Sequence, residues 1–241
     1  MLLLSGGMDS LAIWRLLGLP PAVSFIMATR CQQREQAALG WASKSWGGEF
    51  TMRAFPMGEF EQENGYLPFR NPLLILAAAQ LDSNVILGQI AEYAPDKNFR
   101  FYRQLERAVN MSGQLAEFDG KLRIEAPFAL MAKGRLLGRY AERFGQPEAA
   151  KLLDNTWSCY RDGMAHCGEC GGCKQRWAAE MLWREDWNVT VEGTRYMVQP
   201  TPGHTPASDY VRWLWSGGFK AAIQIKQRLE QNAAARRAAS R

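Results

Sequence analysis

Apolar and polar positions alternate along this chain in two rhythms. Short apolar runs at Met1–Leu4, Ala22–Ala28, Glu49–Ala54, Asn84–Gly88 and Leu122–Ala126 have the length and content of buried strands. Between them lie stretches whose apolar residues recur every three to four positions. These predict helices over Asp9–Leu17, Gln32–Trp46, Pro72–Asp82, Asn98–Met111, Met131–Phe144 and Cys173–Trp183. Strand-helix alternation with continuous apolar strands predicts an α/β fold, a five-stranded parallel sheet covered on both faces. Ligands of such sheets sit at the carboxyl ends of the strands, here Ser5–Ser10, Ala28–Gln33 and Gly88–Glu92. From about Leu152 glycine, cysteine and tryptophan become dense and the strand signal fades. Pro200–Pro206 reads as a proline-rich loop and Gly218–Arg241 as an amphipathic helix. The expected division is an α/β domain over residues 1–151, a cysteine-rich region over 152–190 and an extension over 191–241.

Composition narrows the class. A 47% hydrophobic content over 241 residues supports a packed core. No run approaches the length of a membrane span, and no basic segment precedes the first apolar run, so a cytoplasmic protein with no membrane partner is expected. The formal charge of +5 is concentrated at the end. Lys220, Lys226, Arg228, Arg236, Arg237 and Arg241 face the single acid Glu230 there. Such a tail can touch nucleic acid, though a solvated helix is the commoner outcome.

Two motifs carry chemistry. The first is Ser5-Gly6-Gly7-Met8-Asp9-Ser10, between the first strand and the first helix. A glycine turn at a helix N-terminus aims backbone N–H groups and the positive helix end at one point, which suits phosphate. The lysine of a Walker A loop is missing. S-G-G-x-D-S resembles the PP-loop of the ATP pyrophosphatases, which holds pyrophosphate as a leaving group. Asp9 beside phosphates suggests a Mg²⁺ ligand or a helix cap. The second motif is Cys159, Cys167, Cys170 and Cys173, spaced C-x₇-C-x₂-C-x₂-C. Cys-x-x-Cys turns place sulfurs for tetrahedral Zn²⁺. Four thiolates leave no open position, which favours a structural zinc over an iron–sulfur cluster. Arg161, Lys174 and Arg176 are near enough in sequence to balance its charge. His166 reads as a surface residue and Cys31 as an inert thiol.

Together the motifs resemble the 7-cyano-7-deazaguanine synthases, the QueC family. Trp157-Ser158-Cys159-Tyr160 resembles the family's W-S-C-Y, and Cys167–Cys173 with Arg176 its C-G-x-C-x-x-C-x-x-R. Pro68-Phe69-Arg70-Asn71 resembles P-x-R-N, and Pro127 with Lys133 the P…K segment. Gln33, Arg34 and Glu35 are a looser match. The resemblance covers about Met1 to Trp177. It implies a Rossmann-like PP-loop fold, a structural zinc and a homodimer. It further implies an ATP-dependent ligase acting on 7-carboxy-7-deazaguanine and ammonia, through an adenylate to the amide and then the nitrile. Asp9, Arg70 and Lys133 are then catalytic. Ser5, Gly6, Gly7, Met8, Asp9 and Ser10 hold the ATP pyrophosphate, and Asn71, Gly88 and Asp96 contact substrate.

Three departures stand out. The family's acidic D-x-x-x-Y-x-D-C segment is replaced by Ala91–Arg100, where Asp96 is the clearest remnant. The first strand is short, and about fifty residues follow the usual end. These features resemble relatives from phage DNA-modification and bacterial defence gene clusters, some of which stop at the amide or pass the base to a protein or nucleic-acid amine. A PP-loop tRNA-modifying enzyme and an inert zinc-bearing interaction module are the competing readings.

Overall fold

The computed structural model describes residues 1–90, 97–113, 121–161, 165–168, 170–184, 188–191 and 194–197. Asp96, the proline-rich loop and the basic C-terminal segment lie outside these residues. Five parallel strands form one sheet: β1 (Leu2–Leu3), β2 (Ala22–Ile26), β3 (Phe50–Ala54), β4 (Asn84–Leu87) and β5 (Arg123–Glu125). Their order is β3-β2-β1-β4-β5. The helices are α1 (Met8–Leu16), α2 (Gln32–Trp46), α3 (Arg70–Ala79), α4 (Phe99–Ser112), α5 (Lys133–Phe144), α6 (Gln146–Asp154) and α7 (Gly171–Arg184).

β1 is only two residues long, yet it is the central strand. Leu2 pairs with Ala22 and Ile86, and Leu3 with Val23 and Leu87. Bonds from Leu4 N–H to the Val23 carbonyl and from Ile86 N–H to the Met1 carbonyl extend the pairing at both ends. A short strand is stable here because neighbours on both sides satisfy its backbone groups. The strand order reverses at β1, so a crevice opens above its carboxyl end, where α/β sheets bind ligands.

One apolar core joins α1, α2, α5 and α6 through Leu11, Trp14, Leu39, Leu137, Tyr140 and Leu152. The other joins α3, α4 and the sheet through Val23, Ile75, Val85, Tyr102 and Ile124. Each fully buried large side chain stabilises the fold by roughly 1.5–3 kcal/mol. α1 is buried nearly all round, which is why its sequence shows little amphipathic contrast. Trp14 still satisfies its indole N–H, on the Pro20 carbonyl at 2.9 Å. Arg15 lies over the rings of Trp46 and Phe144 and pairs with Glu148 at 2.8 Å.

The strand-helix reading of the sequence matches the observed elements closely. It overlooked α6, nine residues that start after Gly145 and bury Ala149, Leu152 and Leu153. Pro147 and Glu148 in its first turn, with that i, i+3, i+4 apolar spacing, are the signals that mark it. It also overlooked an antiparallel hairpin of β6 (Asn188–Val191) and β7 (Thr194–Met197). Among the described residues no helix is long and apolar enough to cross a membrane.

Candidate active site and metal centre

The turn after β1 is built mainly by main-chain groups and two serines. Ser10 Oγ lies 2.6 Å from the Ser5 carbonyl, to which it donates, and accepts from Ser5 N–H at 3.1 Å. The Ser5 and Ser10 hydroxyls are 3.0 Å apart. Ser10 therefore closes the loop from within, while Ser5 lies at its exposed side. Gly7 is the N-cap of α1 in extended conformation. Gly6 is required for space, since a Cβ there would stand 2.3 Å from the Glu35 Cα on α2. Gly88, at the end of β4, packs the same way against Ser10, where a Cβ would meet Cα and Cβ at 2.8 Å. Its place is behind the loop.

A cleft of about 170 Å³ opens over this turn. Ser5, Gly7, Met8, Asp9, Arg70 and Lys133 all line it. Asn71 sits one residue into α3, beside Arg70. Lys133 is only 6% exposed, and its Nζ lies 2.9 Å from Asp9 Oδ2. Lys133 is the first residue of α5 and Arg70 the first of α3. A cation at a helix N-terminus opposes the helix dipole at a cost of about 0.3–1 kcal/mol. Two such placements, with the N-terminus of α1, concentrate positive potential on one cleft. That arrangement favours a polyphosphate.

Thr29 and Glu61, which the sequence reading did not single out, also line the cleft, as do Glu35, Lys97, Trp157 and Tyr160, which it met only within motif matches or the Ala91–Arg100 departure. The segment after β3 swings back over the strand ends, and the Arg30 guanidinium binds Glu61 there at 3.1 Å. Burial raises the Glu35 carboxyl above its usual range. Arg70 opposes that shift and Glu61 adds to it. Burial, reinforced by Glu35, pushes the Cys31 thiol up to about 11. Cys31 is thus a neutral thiol at physiological pH, in keeping with the inert reading.

The four cysteines converge. Their sulfurs all lie within 4.8 Å of one another, with Cys167–Cys173 and Cys159–Cys170 at 3.9 Å. Tetrahedral zinc with bonds near 2.3 Å needs sulfurs slightly under ~4 Å apart, so the donor set fits Zn²⁺. Backbone N–H groups of Tyr160, Arg161 and Cys170 reach the sulfurs at 3.4 Å, which stabilises thiolate charge. Burial pushes the Cys173 thiol up to about 12 and raises that of Cys159. A metal must displace those protons on binding. Arg176 turns to the Thr156 and Leu153 carbonyls rather than to a sulfur. His166 is exposed but not idle: its ring stacks on Trp157 at 4.4 Å.

This cysteine segment also walls the cleft. Trp157 N–H donates to the Gly6 carbonyl at 3.1 Å, and the Cys31 thiol donates to the Cys159 carbonyl at 3.1 Å. Gly172, in the first turn of α7, lets that helix approach. A Cβ there would overlap the Ser158 carbonyl oxygen at 1.9 Å.

The family model described as "Queuosine biosynthesis protein QueC" matches residues 48–182. The chain is similar to the 7-cyano-7-deazaguanine synthase of Desulfotalea psychrophila, 32% identical over 143 residues, 54% of this chain and 58% of that protein. That of Porphyromonas gingivalis is 32% identical over 132 residues, 50% of this chain and 55% of the relative. That of Sulfurimonas denitrificans is 29% identical over 119 residues, 46% and 49% of the two chains. The chain spans about half the length of the curated relatives it matches. The family match runs from just before β3 through the cysteine centre, taking in Arg70, Lys133 and all four sulfur ligands, and the chain belongs to the QueC family.

Proposed function

We propose that the protein adenylates the carboxylate of a 7-carboxy-7-deazaguanine and transfers the acyl group to ammonia, giving the amide and then, with a second ATP, the nitrile. The observation that carries this reading is the buried Asp9–Lys133 pair beside the glycine turn, in a cleft onto which the first turns of α1, α3 and α5 converge. A carboxylate is a poor electrophile because its leaving group would be oxide. Adenylation supplies AMP as the leaving group, and pyrophosphate must be held while it departs.

In this reading the main-chain N–H groups of Gly7 and Met8 hold the β,γ-phosphates. Lys133 and Arg70 take up charge as the α-phosphorus becomes pentacovalent. Asp9 orients Lys133 and is the nearest carboxylate for a Mg²⁺ arriving with ATP. Zinc at the four cysteines holds the far wall in place. The relatives' name, 7-cyano-7-deazaguanine synthase, supports the nitrile as product.

A second reading, in which the product is the amide or a conjugate, draws on Lys97. This cation lines the cleft and lies within Ala91–Arg100, the segment that stands where the family carries acidic residues. Counting AMP per product by mass spectrometry, with ATP, ammonium and 7-carboxy-7-deazaguanine, separates the two. Two AMP per product fits the nitrile, and one fits the amide or a conjugate. No AMP with this substrate overturns the deazaguanine assignment.

A further inference from the structure

Three carboxylates line the cleft, and two are already engaged. Asp9 pairs with Lys133 at 2.9 Å. Glu61 accepts the Arg30 backbone N–H at 3.0 Å and pairs with the Arg30 guanidinium. Glu35 differs. Among the described residues its side chain accepts no hydrogen bond, although Arg70 and Glu61 act on it through space. Its backbone is pinned against Gly6, so the side chain has a fixed origin beside the pyrophosphate turn. It projects from the first turn of α2, whose N–H groups Arg34 and Glu35 bond back to the Cys31 carbonyl. A half-buried carboxylate with spare acceptor capacity is poorly used as structure. In a cleft that activates an acyl group, it is a base awaiting a proton.

We propose that Glu35 is the general base of the amine-transfer step, a catalytic residue acting on the attacking nitrogen. The proposal rests on the adenylation reading above. Attack of NH₃ on the acyl carbonyl forms the C–N bond and leaves nitrogen with three hydrogens and a positive charge. While that charge remains, the adduct can still revert by losing neutral ammonia, and collapse to a neutral amide requires the proton to be removed. Glu35 takes one N–H proton, and the bonding pair stays on nitrogen. The C–O bond to AMP then breaks, with its pair leaving on the phosphate oxygen. The amide remains, and the proton passes from Glu35 to solvent. No oxidant or further reactant is needed.

The charged groups that line the cleft with Glu35 come from several elements: Asp9 on α1, Glu61 beyond β3, Arg70 on α3, Lys97 ahead of α4 and Lys133 on α5, with the Cys31 thiol at the N-cap of α2; of these, Arg70 and Glu61 act on Glu35 through space. Burial makes the carboxylate a stronger base than a solvated one, and Arg70 opposes that shift. Adenylation itself moves no proton to Glu35, so the two half-reactions should separate cleanly.

The test compares them in Glu35→Gln. ATP–pyrophosphate exchange with 7-carboxy-7-deazaguanine should stay within about threefold of wild type, and ammonia-dependent amide formation should fall roughly 100-fold or more. Hydroxylamine, whose adduct loses its proton unaided, should restore product as the hydroxamate. A second measurement needs no variant. In wild type, the rate expressed against free NH₃ should fall on the acid side as Glu35 takes its proton, while the hydroxylamine rate should not. Equal amide formation by variant and wild type, or the same acid limb with both nucleophiles, would overturn the assignment. Wild type that shows no exchange at all overturns the substrate reading beneath it instead.

Discussion

The two walls of the cleft are ordered by opposite means. On one side, the turn Ser5–Ser10 is positioned by main-chain packing: β1 bonded on both flanks, Gly6 pressed on α2, Gly88 pressed on Ser10. On the other, the described residues between α6 and α7 contain no helix or strand, and side-chain sulfurs converge on one point. The first wall is ordered by the fold. The second needs a cross-link, because a segment without ladder or helix bonds loses the backbone entropy of ordering with few contacts in return. The walls meet at two bonds, Trp157 to Gly6 and Cys31 to Cys159. The cysteine cluster is therefore one step from the glycine turn in structure.

The largest effect should come from removing the metal. One zinc per chain is expected by elemental analysis. Chelation, or Cys167→Ser, should release residues 157–173 to fast hydrogen exchange while the strands stay protected. Structural zinc supplies on the order of 10 kcal/mol of apparent binding free energy, so the loss should be regional and complete. Soluble, active protein with iron or with no metal would break the contrast between the walls.

Next in size is the charge pair. Lys133→Met should lower kcat by roughly 100- to 1000-fold with a smaller change in KM. Asp9→Ala should abolish Mg-dependent turnover while the protein stays folded. Because either change leaves a buried partner charge, the double variant Asp9→Asn/Lys133→Met should recover stability without recovering activity. A pure KM effect in the single lysine variant would assign the pair to ground-state binding.

Glycine substitutions sharpen the comparison at smaller scale. Gly172→Ala forces a methyl onto the Ser158 carbonyl oxygen and should cost at least about 1–3 kcal/mol. Its mark should be weaker metal retention in a competition assay with a chelator. Gly6→Ala meets α2 backbone instead and should impair ATP binding with metal content unchanged. Equal metal loss in both variants would mean that the two walls behave as one unit.

The smallest effect lies outside the cleft, at Glu148. Bonds from Lys151 and Arg15 hold its carboxyl below the usual range. A lowered carboxyl contributes stability above its unfolded value near ~4.3 and loses it as pH falls through the folded value. Glu148→Gln should therefore cost about 0.5–1 kcal/mol at neutral pH, a difference that denaturant titration should find reduced in acid. Glu35 has the opposite sign. Its raised carboxyl makes ionisation costly in the folded state, so Glu35→Gln should melt above wild type at neutral pH.

Much of this fold was legible in the sequence because its strands are buried on both faces. Continuous apolar runs such as Ala22–Ile26 stand out against amphipathic helices such as α5, and α2 was bounded at Gln32–Trp46 as observed. The helix α6 escaped because it is only nine residues long and follows α5 after a single glycine, so its i, i+3, i+4 spacing merges with that of its neighbour. Glu35 was met only within the loose Gln33–Glu35 match and not as a site residue, because its neighbours Gln33, Arg34 and Gln36 are equally polar.

Local chemistry thus determined the glycine turn, the zinc ligands and the strand-helix alternation, since each depends on residue types at short spacing. The tertiary structure alone decided that Lys133 would meet Asp9 across more than a hundred residues of chain, that Glu35 would face Arg70, and that the cysteine segment would lean on Gly6. Those contacts depend on strand order and helix approach, which place distant residues together only once the strand order has reversed at β1.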